Sequence, residues 1–251
     1  MTDARAVTPA RPHHRYTEDG RRIREVLTYS RRGSRLTERQ QHAWDTERAH
    51  YLVPDDDVAE GVDWTAVFGR EAPLVVEIGS GVGEATVAVA AARPEANVLA
   101  FEVWRPGVAD TLLRIAELGL TNVRLCQVDA VWTLEHRVGE GAISELLTFF
   151  PDPWHKARHH KRRLVNPAFA ALVTQRVAVG GWWRLATDWA EYAAWMQEVL
   201  DAEPGLQGGP VPRWDTRPVT RFERKGLAVG RTITDLAYRV SARSSASSSS
   251  T

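Results

Sequence analysis

Residues 74–103 read LVVEIGSGVGEATVAVAAARPEANVLAFEV, and this stretch decides the fold class. An apolar run ends in a glycine-rich turn, a helix-like segment follows and stops at Pro94, and a second apolar run begins at Asn97. Further apolar runs occupy 122–129, 145–153, 182–188 and 233–240, and helical patterns occupy 107–119, 166–181 and 189–205. This alternation predicts a mostly parallel, doubly wound α/β sheet with helices on both faces.

Composition limits the classes of protein that the chain can belong to. Its 251 residues are 43% hydrophobic and 25% charged, which suits one globular domain with extensions. Residues 31–240 are expected to form that domain, and residues 1–30 and the serine-rich end, 241–251, to be disordered. No run is as apolar as a membrane span, and the chain does not begin with a secretory signal, so a cytoplasmic location is expected. The single cysteine, Cys126, excludes a disulfide framework and a cysteine-rich zinc site.

Charge sign is segregated along the chain, although the net charge is zero. No acidic residue occurs between Asp152 and Asp188. The cations in that interval are Lys156, Arg158, Lys161, Arg162, Arg163, Arg176 and Arg184. A basic run is usually a solvated surface, but this one directly follows a candidate reaction site, where it would attract phosphates.

The first candidate binding motif is the turn after the first apolar run. Glu77 precedes Gly79, Gly81 and Gly83, and glycines allow positive φ and close approach of a ligand. The spacing is not that of a dinucleotide site, and the acidic residue would repel a pyrophosphate. The motif is either a plain strand-to-helix turn or a site for a cationic, amino-bearing ligand such as S-adenosylmethionine.

Two further acidic residues follow the next two predicted strands. Glu102 stands where a carboxylate can accept hydrogen bonds from both ribose hydroxyls, or it is merely solvated. Asp129 is placed to accept from an adenine amino group, to cap the next helix, or both. Three acidic residues at consecutive strand ends are more specific than any one of them alone. Together they favour a methyltransferase of the Rossmann-like class.

The fourth predicted strand end holds the candidate reaction centre. Asp152 lies between two prolines, which stiffen the loop and set the angle at which it leaves the sheet. Trp154 offers a surface for stacking or packing. His155, His159 and His160 have a spacing that zinc ligands also show, but five cations surround them without an acidic or thiol ligand, so no metal is predicted.

The segment FFPDPWHKARHHKRR, residues 149–163, resembles the signature of the bacterial tRNA (guanine-N7)-methyltransferases. EIGSGVG, FEVWRPGV, VDAVWTL, LATDW and TRFERKG follow the family order, so the resemblance covers residues 30–240. It implies a Rossmann-like methyltransferase fold with a seven-stranded sheet and a late antiparallel strand. It also implies S-adenosylmethionine as cofactor and tRNA as partner, with methylation of guanine 46 in the variable loop and no obligate protein partner.

The resemblance also assigns residues to roles. The cofactor would be bound by Glu77, Gly79, Gly81, Gly83, Glu102, Asp129 and Asp152, and Asp152 would be catalytic. The target guanine would contact Lys156, Asp188 and the loop Thr220, Arg221, Phe222 and Glu223. RNA would meet Arg158, His159, His160, Lys161, Arg162 and Arg163. Ser80 and Val82 depart from the family pattern, which expects bulkier residues there.

Two other functions stay open at this point. FPDPW has the general form of the loops with which amino-group methyltransferases hold an exocyclic amine, although its proline and aspartate are interleaved differently. A non-catalytic RNA-binding protein on the same scaffold is the other alternative. It would be expected to have lost the acidic residues, all of which are present here.

Overall fold

The computed structural model describes residues 15–16, 22–23, 27–29, 33–54 and 62–241. The strands are β1 (Arg15–Tyr16), β2 (Arg22–Ile23), β3 (Leu52–Val53), β4 (Leu74–Ile78), β5 (Asn97–Phe101), β6 (Val123–Cys126), β7 (Ile143–Phe149), β8 (Val177–Thr187), β9 (Leu206–Val211) and β10 (Thr234–Val240). The helices are α1 (Glu38–Tyr51), α2 (Trp64–Phe68), α3 (Glu84–Ala92), α4 (Arg105–Leu118), α5 (Ala130–Arg137), α6 (Pro167–Arg176), α7 (Ala190–Asp201) and α8 (Arg221–Ala228). A 3-10 helix spans Ala157–Arg162. Within these described ranges, no helix is both long and apolar enough to cross a bilayer.

The main sheet has eight strands in the order β3-β6-β5-β4-β7-β8-β10-β9. All neighbouring pairs are parallel except those of β10, which is antiparallel to β8 and β9. The predicted doubly wound sheet and its late antiparallel strand are therefore confirmed. The count is eight where seven were expected, because the two-residue β3 pairs with β6 at the edge and is too short to show a pattern. Among the described residues, the short β1 and β2 pair with each other and not with the main sheet.

The order of the strands reverses beside β4. From β4 the chain proceeds through β5 and β6 on one side, and then through β7 and β8 on the other. In such sheets ligands bind at the carboxyl ends of the strands, next to the point of reversal. The ends of β4 and its neighbours are therefore where a site is expected.

Side chains alternate between two cores, one on each face of the sheet. Leu74 and Val76 belong to one core and Val75 to the other. The first core is covered by α5, α6 and α7, and the second by α1, α3 and α4. The predicted helices on both faces are thus confirmed, and burial on both faces explains why β4 and β5 are almost uniformly apolar.

The helix predicted over 166–181 is confirmed as far as Arg176 and is wrong from Val177 onward. Helix α6 ends at Arg176, and β8 begins at Val177. Val177 and Val179 are β-branched and favour a strand, and β8 pairs with β7 with a register shift between Ile143 and Glu145. Gly181 therefore lies within the strand, where an added Cβ would stand 2.7 Å from the Ser144 carbonyl oxygen.

The segment containing residues 220–223 was expected to be a loop, and this is also corrected. Thr220 is the N-cap of α8, and its hydroxyl accepts a hydrogen bond from the Glu223 amide. The remaining residues form the first turn of that helix. Strand β9 was not predicted at all, because its sequence LQGGPV contains the residues that normally argue against a strand.

Candidate active site

Four carboxylates at the ends of four adjacent strands line one cavity. They are Glu77 on β4, Glu102 after β5, Asp129 after β6 and Asp152 after β7. Because β6, β5, β4 and β7 are parallel neighbours, their carboxyl ends meet at one edge of the sheet. The structure thus brings together the four acids that the sequence singled out.

The glycine turn after β4 forms part of the lining of this cavity. Gly79, Gly81 and Gly83 have φ angles of 76°, 60° and 78°, so an L side chain at any of them would be strained. Gly79 and Gly81 line the cavity. Gly83 does not, and a Cβ there would lie 2.5 Å from atoms of Thr111. Gly83 therefore serves the close packing of α3 against α4.

Two main-chain amides orient the Glu102 carboxylate. The Gly81 amide donates to Oε2 at 2.8 Å, and the Trp104 amide donates to Oε1 at 2.7 Å. Hydrogen bonds of this kind hold a carboxylate in one orientation. Glu102 therefore holds the glycine turn and also presents its carboxylate to the cavity in a fixed orientation.

Glu77 is almost fully buried, and only 3% of its surface is exposed. Burial raises its pKa to about 7, with a smaller rise from the nearby Glu102 carboxylate and an opposing hydrogen bond donated by the Thr86 hydroxyl. A cationic group placed beside Glu77 would favour the ionised form. Binding of a cationic ligand would therefore lower the pKa of this carboxyl.

Gly107, which the sequence reading did not single out, packs against the glycine turn. An added Cβ would collide with the Gly81 carbonyl oxygen and lie 2.9 Å from the Trp104 ring. We expect Gly107→Ala to weaken binding in the cavity and to lower the free energy of unfolding by about 1–3 kcal/mol, since backbone must move. Gly139→Ala is the matched control, because a Cβ there meets nothing within 4 Å. Urea denaturation of both variants checks this, and equal stability losses would contradict it.

Asp129 has both a structural position and access to the cavity. Its side chain accepts from the Trp132 amide at 3.0 Å and caps α5, which confirms the capping role. The residue also lines the cavity, so a contact with a ligand stays a prediction for the same side chain.

The loop that holds Asp152 is flanked by two strained residues. Phe150 and Trp154 have positive φ angles of 53° and 48°, which are uncommon for side chains of this size. The Phe150 amide donates to the Ala186 carbonyl at 2.7 Å, and Arg163 donates to the Pro153 carbonyl at 3.0 Å. These anchors, together with the two prolines, give Asp152 a defined main-chain position.

The predicted substrate residues divide into two groups. Thr220 and Phe222 line the cavity, whereas Lys156, Asp188, Arg221 and Glu223 do not. Glu223 is only 1% exposed and forms ion pairs with Arg217 and Arg213, so its contact with guanine stays a prediction.

The other three members of that second group are also charged and lie outside the cavity, and two of them, the half-buried Asp188 and the exposed Arg221, are at α8. Asp188 forms an ion pair with Arg231 at 2.6 Å, and Arg221 is exposed while its amide donates to Glu84. Lys156 is exposed at the start of the 3-10 helix.

The residues of the basic run predicted to contact RNA differ in their exposure to solvent. Arg158 and Lys161 are exposed on the 3-10 helix, next to the half-buried His159 and His160. Arg163 is 1% exposed, forms an ion pair with Glu191 at 2.6 Å and stacks on Tyr192. Arg163 therefore has a structural role in the protein, and its predicted contact with RNA stays a prediction. In the described part of the chain, no three His, Cys, Asp or Glu residues are grouped as a metal site would require.

Several cavity residues were not predicted from the sequence, among them Thr28, Tyr29, Ser80 and Trp104. The first two lie in the stretch expected to be disordered, most of which falls outside the described residues. Ser80 Oγ is buried and has no hydrogen-bond partner among the described residues, as expected of a group that completes its bonding with a ligand. The resemblance to the family identifies Ser80 as a departure from the pattern and not as a binding residue.

Comparisons with known proteins agree with this geometry. Residues 71–236 match a family described as "Putative methyltransferase". A 16S rRNA (adenine(1408)-N(1))-methyltransferase structure from Catenulisporales acidiphilia superposes with a TM-score of 0.51 at 20% identity, covering 75% of this chain and 92% of that one. The fold and the strand-end carboxylates together define a Rossmann-like methyltransferase.

Similarity to individual sequences shows which family of methyltransferases the chain belongs to. The tRNA (guanine-N(7)-)-methyltransferase of Nocardioides sp. is 64% identical over 93% of this chain and 94% of its own. The proteins of that name from Cutibacterium acnes and Aeromonas hydrophila are 51% and 43% identical, over 88% and 89% of this chain and 85% and 96% of their own. The chain belongs to the tRNA (guanine-N7)-methyltransferase family.

Members of this family depend on S-adenosylmethionine, and the cavity suits that molecule. Carboxylates are acceptors for its amino group and ribose hydroxyls, and the glycine turn leaves room for close approach. The buried Ser80 hydroxyl offers a further polar contact.

Proposed function

We propose that this protein methylates N7 of a guanine in tRNA, with S-adenosylmethionine as the methyl donor and guanine 46 of the variable loop as the target. The observation that carries the proposal is the single cavity lined by Glu77, Glu102, Asp129 and Asp152. The names of the sequence relatives support the substrate, and the exposed cations beside the cavity support an RNA partner.

The cofactor-binding residues have distinct tasks in this proposal. Glu77 accepts from the amino group of the methionine part, Glu102 accepts from the ribose hydroxyls, and Asp129 accepts from the adenine amino group. Gly79 and Gly81 let the ligand approach the main chain. When bound, S-adenosylmethionine supplies an electrophilic methyl group.

The chemistry at guanine needs little proton transfer. N7 has a lone pair in the ring plane and carries no proton, so the protein must chiefly align the two reactants. Positive charge moves onto the purine during transfer, and a nearby carboxylate stabilises it. Of Asp152, Asp188 and Glu223, only Asp152 lines the cavity, so we assign this task to Asp152. Thr220 and Phe222 border the guanine.

The RNA partner is held by the exposed members of the basic run. Lys156, Arg158 and Lys161 lie on one surface next to the loop of Asp152, where they meet tRNA phosphates. Arg163 is left out of this proposed surface, because its side chain is buried and forms an ion pair with Glu191.

Cofactor affinity should depend on pH through Glu77. Its pKa is raised to about 7 in the ligand-free protein, and the amino group of the cofactor favours the ionised carboxylate. Binding therefore releases a proton below pH 7, and the dissociation constant should rise by up to about tenfold per pH unit as the pH falls from 7 to 6. Calorimetric titration at several pH values measures this.

Glu77→Gln is the control for that titration, because it keeps the shape of the side chain and cannot ionise. The variant should bind more weakly at pH 8 and show a flatter pH profile than the wild type. An identical slope in the two proteins would assign the pH dependence to the ligand and not to Glu77.

The proposed function is tested by incubating the protein with labelled S-adenosylmethionine and unmodified tRNA, then digesting the tRNA and identifying the methylated nucleoside. The expected product is 7-methylguanosine at position 46. A methyl group on an exocyclic nitrogen would identify an amino-group methyltransferase. Cofactor binding too weak for detection at millimolar concentration would favour a non-catalytic RNA-binding protein.

A further inference from the structure

Three main-chain carbonyls of residues 27–29 are held by the loop that follows β7. The Trp154 indole N–H donates to the Thr28 carbonyl at 3.2 Å. Arg162 donates to the Leu27 carbonyl at 2.9 Å and to the Tyr29 carbonyl at 3.1 Å. These contacts join the N-terminal part of the chain to residues that follow it by 126 to 135 positions.

Trp154 and Arg162 act as one unit in this arrangement. The Arg162 guanidinium carbon lies 3.5 Å from the centre of the Trp154 ring, a close cation–π contact. Trp154 itself is fixed in a left-handed conformation, with φ of 48°. The donor groups that face residues 27–29 are therefore preorganised by the same strained loop that presents Asp152.

Residues 27–29 reach the cavity from this anchor. Thr28 and Tyr29 line it together with Glu77, Glu102 and Asp152. On the other side of β4, the Trp104 indole donates to the Gly33 carbonyl at 2.7 Å, and Trp104 is also a cavity residue. Tryptophans that follow β5 and β7 thus each bind the main chain N-terminal to α1.

We propose that Trp154 and Arg162 are positioning residues that hold residues 27–29, here called the strap, over the cofactor cavity. The strap completes the wall of the cavity, so losing its anchor weakens cofactor binding. Arg162 then acts on the cofactor through the strap, which differs from the direct RNA contact expected from its place in the basic run. Insofar as the ligand is S-adenosylmethionine, the inference rests on the function proposed above.

The test compares Arg162→Ala with Arg158→Ala. Both variants lose one arginine from the same 3-10 helix, but Arg158 is exposed and no contact to the strap is seen for it in the described residues. Two readouts are measured without RNA: calorimetric affinity for S-adenosylmethionine, and the rate of chymotryptic cleavage after Leu27 or Tyr29, followed by mass spectrometry. The cleavage readout needs no cofactor, so it tests the strap even if the proposed function fails.

Arg162→Ala should raise the dissociation constant of S-adenosylmethionine by about tenfold and speed cleavage of the strap by a similar factor, since two charge-assisted hydrogen bonds are lost. Arg158→Ala should leave both values at the wild-type level and weaken only tRNA binding. In turnover assays, Arg162→Ala should raise the KM for S-adenosylmethionine and leave kcat at saturating cofactor within about twofold of wild type, because the loss is one of binding.

Trp154→Phe keeps an aromatic ring under Arg162 and removes only the indole donor. Its cofactor affinity should fall by about threefold, as expected for one neutral hydrogen bond. The proposal is overturned if Arg162→Ala and Arg158→Ala match in both readouts, or if Arg162→Ala weakens tRNA binding alone. A wild-type protein that binds no S-adenosylmethionine would refute the proposed function, while faster strap cleavage in Arg162→Ala would still support the anchor.

Discussion

Asp152→Asn should lower the rate of methyl transfer by about 100- to 1,000-fold, the usual effect of removing one preorganised electrostatic group from a reaction site. The amide keeps the shape of the carboxylate and loses its charge. The charge matters because the purine becomes cationic as its N7 accepts the methyl group. The position of Asp152, between two prolines and two residues with positive φ, keeps that charge in place before the substrate arrives.

Single-turnover measurements with labelled S-adenosylmethionine and saturating tRNA isolate this step. The affinity of Asp152→Asn for the cofactor is measured separately, since Asp152 also lines the cofactor cavity. Glu71→Gln is the matched control, because it neutralises an exposed carboxylate that precedes β4 outside the cavity. Near-normal turnover by Asp152→Asn, with both substrates bound, would show that the chemical step does not depend on this carboxylate.

Arg217→Met should have the largest effect on stability, a loss of about 3–5 kcal/mol, because it removes the cation paired with the buried Asp235 and one of the two arginines paired with the buried Glu223. Arg217 is 2% exposed and forms ion pairs with Glu223 at 2.7 Å and with Asp235 at 2.8 Å. Its guanidinium also lies 5.7 Å and 5.6 Å from the ring centres of Phe149 and Phe150. The variant therefore loosens α8, β10 and the start of the Asp152 loop together.

Chemical denaturation gives the free energy of unfolding for this comparison. Arg39→Met is the control, since its ion pair with Glu117 joins side chains that are 70% and 58% exposed, and its loss should cost less than about 1 kcal/mol. Adding Glu223→Gln and Asp235→Asn to Arg217→Met should recover part of the loss. Equal losses in Arg217→Met and Arg39→Met would contradict the assigned role of the buried network.

The sequence was a good guide to the sheet and to four acidic residues of the site. Strands buried on both faces are continuous apolar runs, and parallel strands end at a common edge, so Glu77, Glu102, Asp129 and Asp152 were expected to meet. A local pattern also predicted the end of α4 at Gly119.

Features that depend on distant partners could not be predicted in this way. Glu223 belongs to a recognisable motif, but only the fold shows that Arg217 and Arg213 neutralise it. Arg162 and Arg163 are adjacent in sequence, yet one contacts residues 27–29 and the other is buried against Glu191. Strand β9 forms because β10 supplies its pairing partner, against the local preference of glycine and proline.

The anchors of the strap do not depend on which amino acids the strap contains. Its anchoring bonds end on the carbonyl oxygens of Leu27, Thr28 and Tyr29, and every amino acid supplies a carbonyl. Alanine substitution at those positions would therefore leave the anchors intact and would report on the side chains alone, of which Thr28 and Tyr29 line the cavity. Deleting it would remove the same carbonyls altogether. A mild effect of such substitutions would therefore not show that the segment is dispensable. The side chains that hold it over the cavity are those of Trp154 and Arg162.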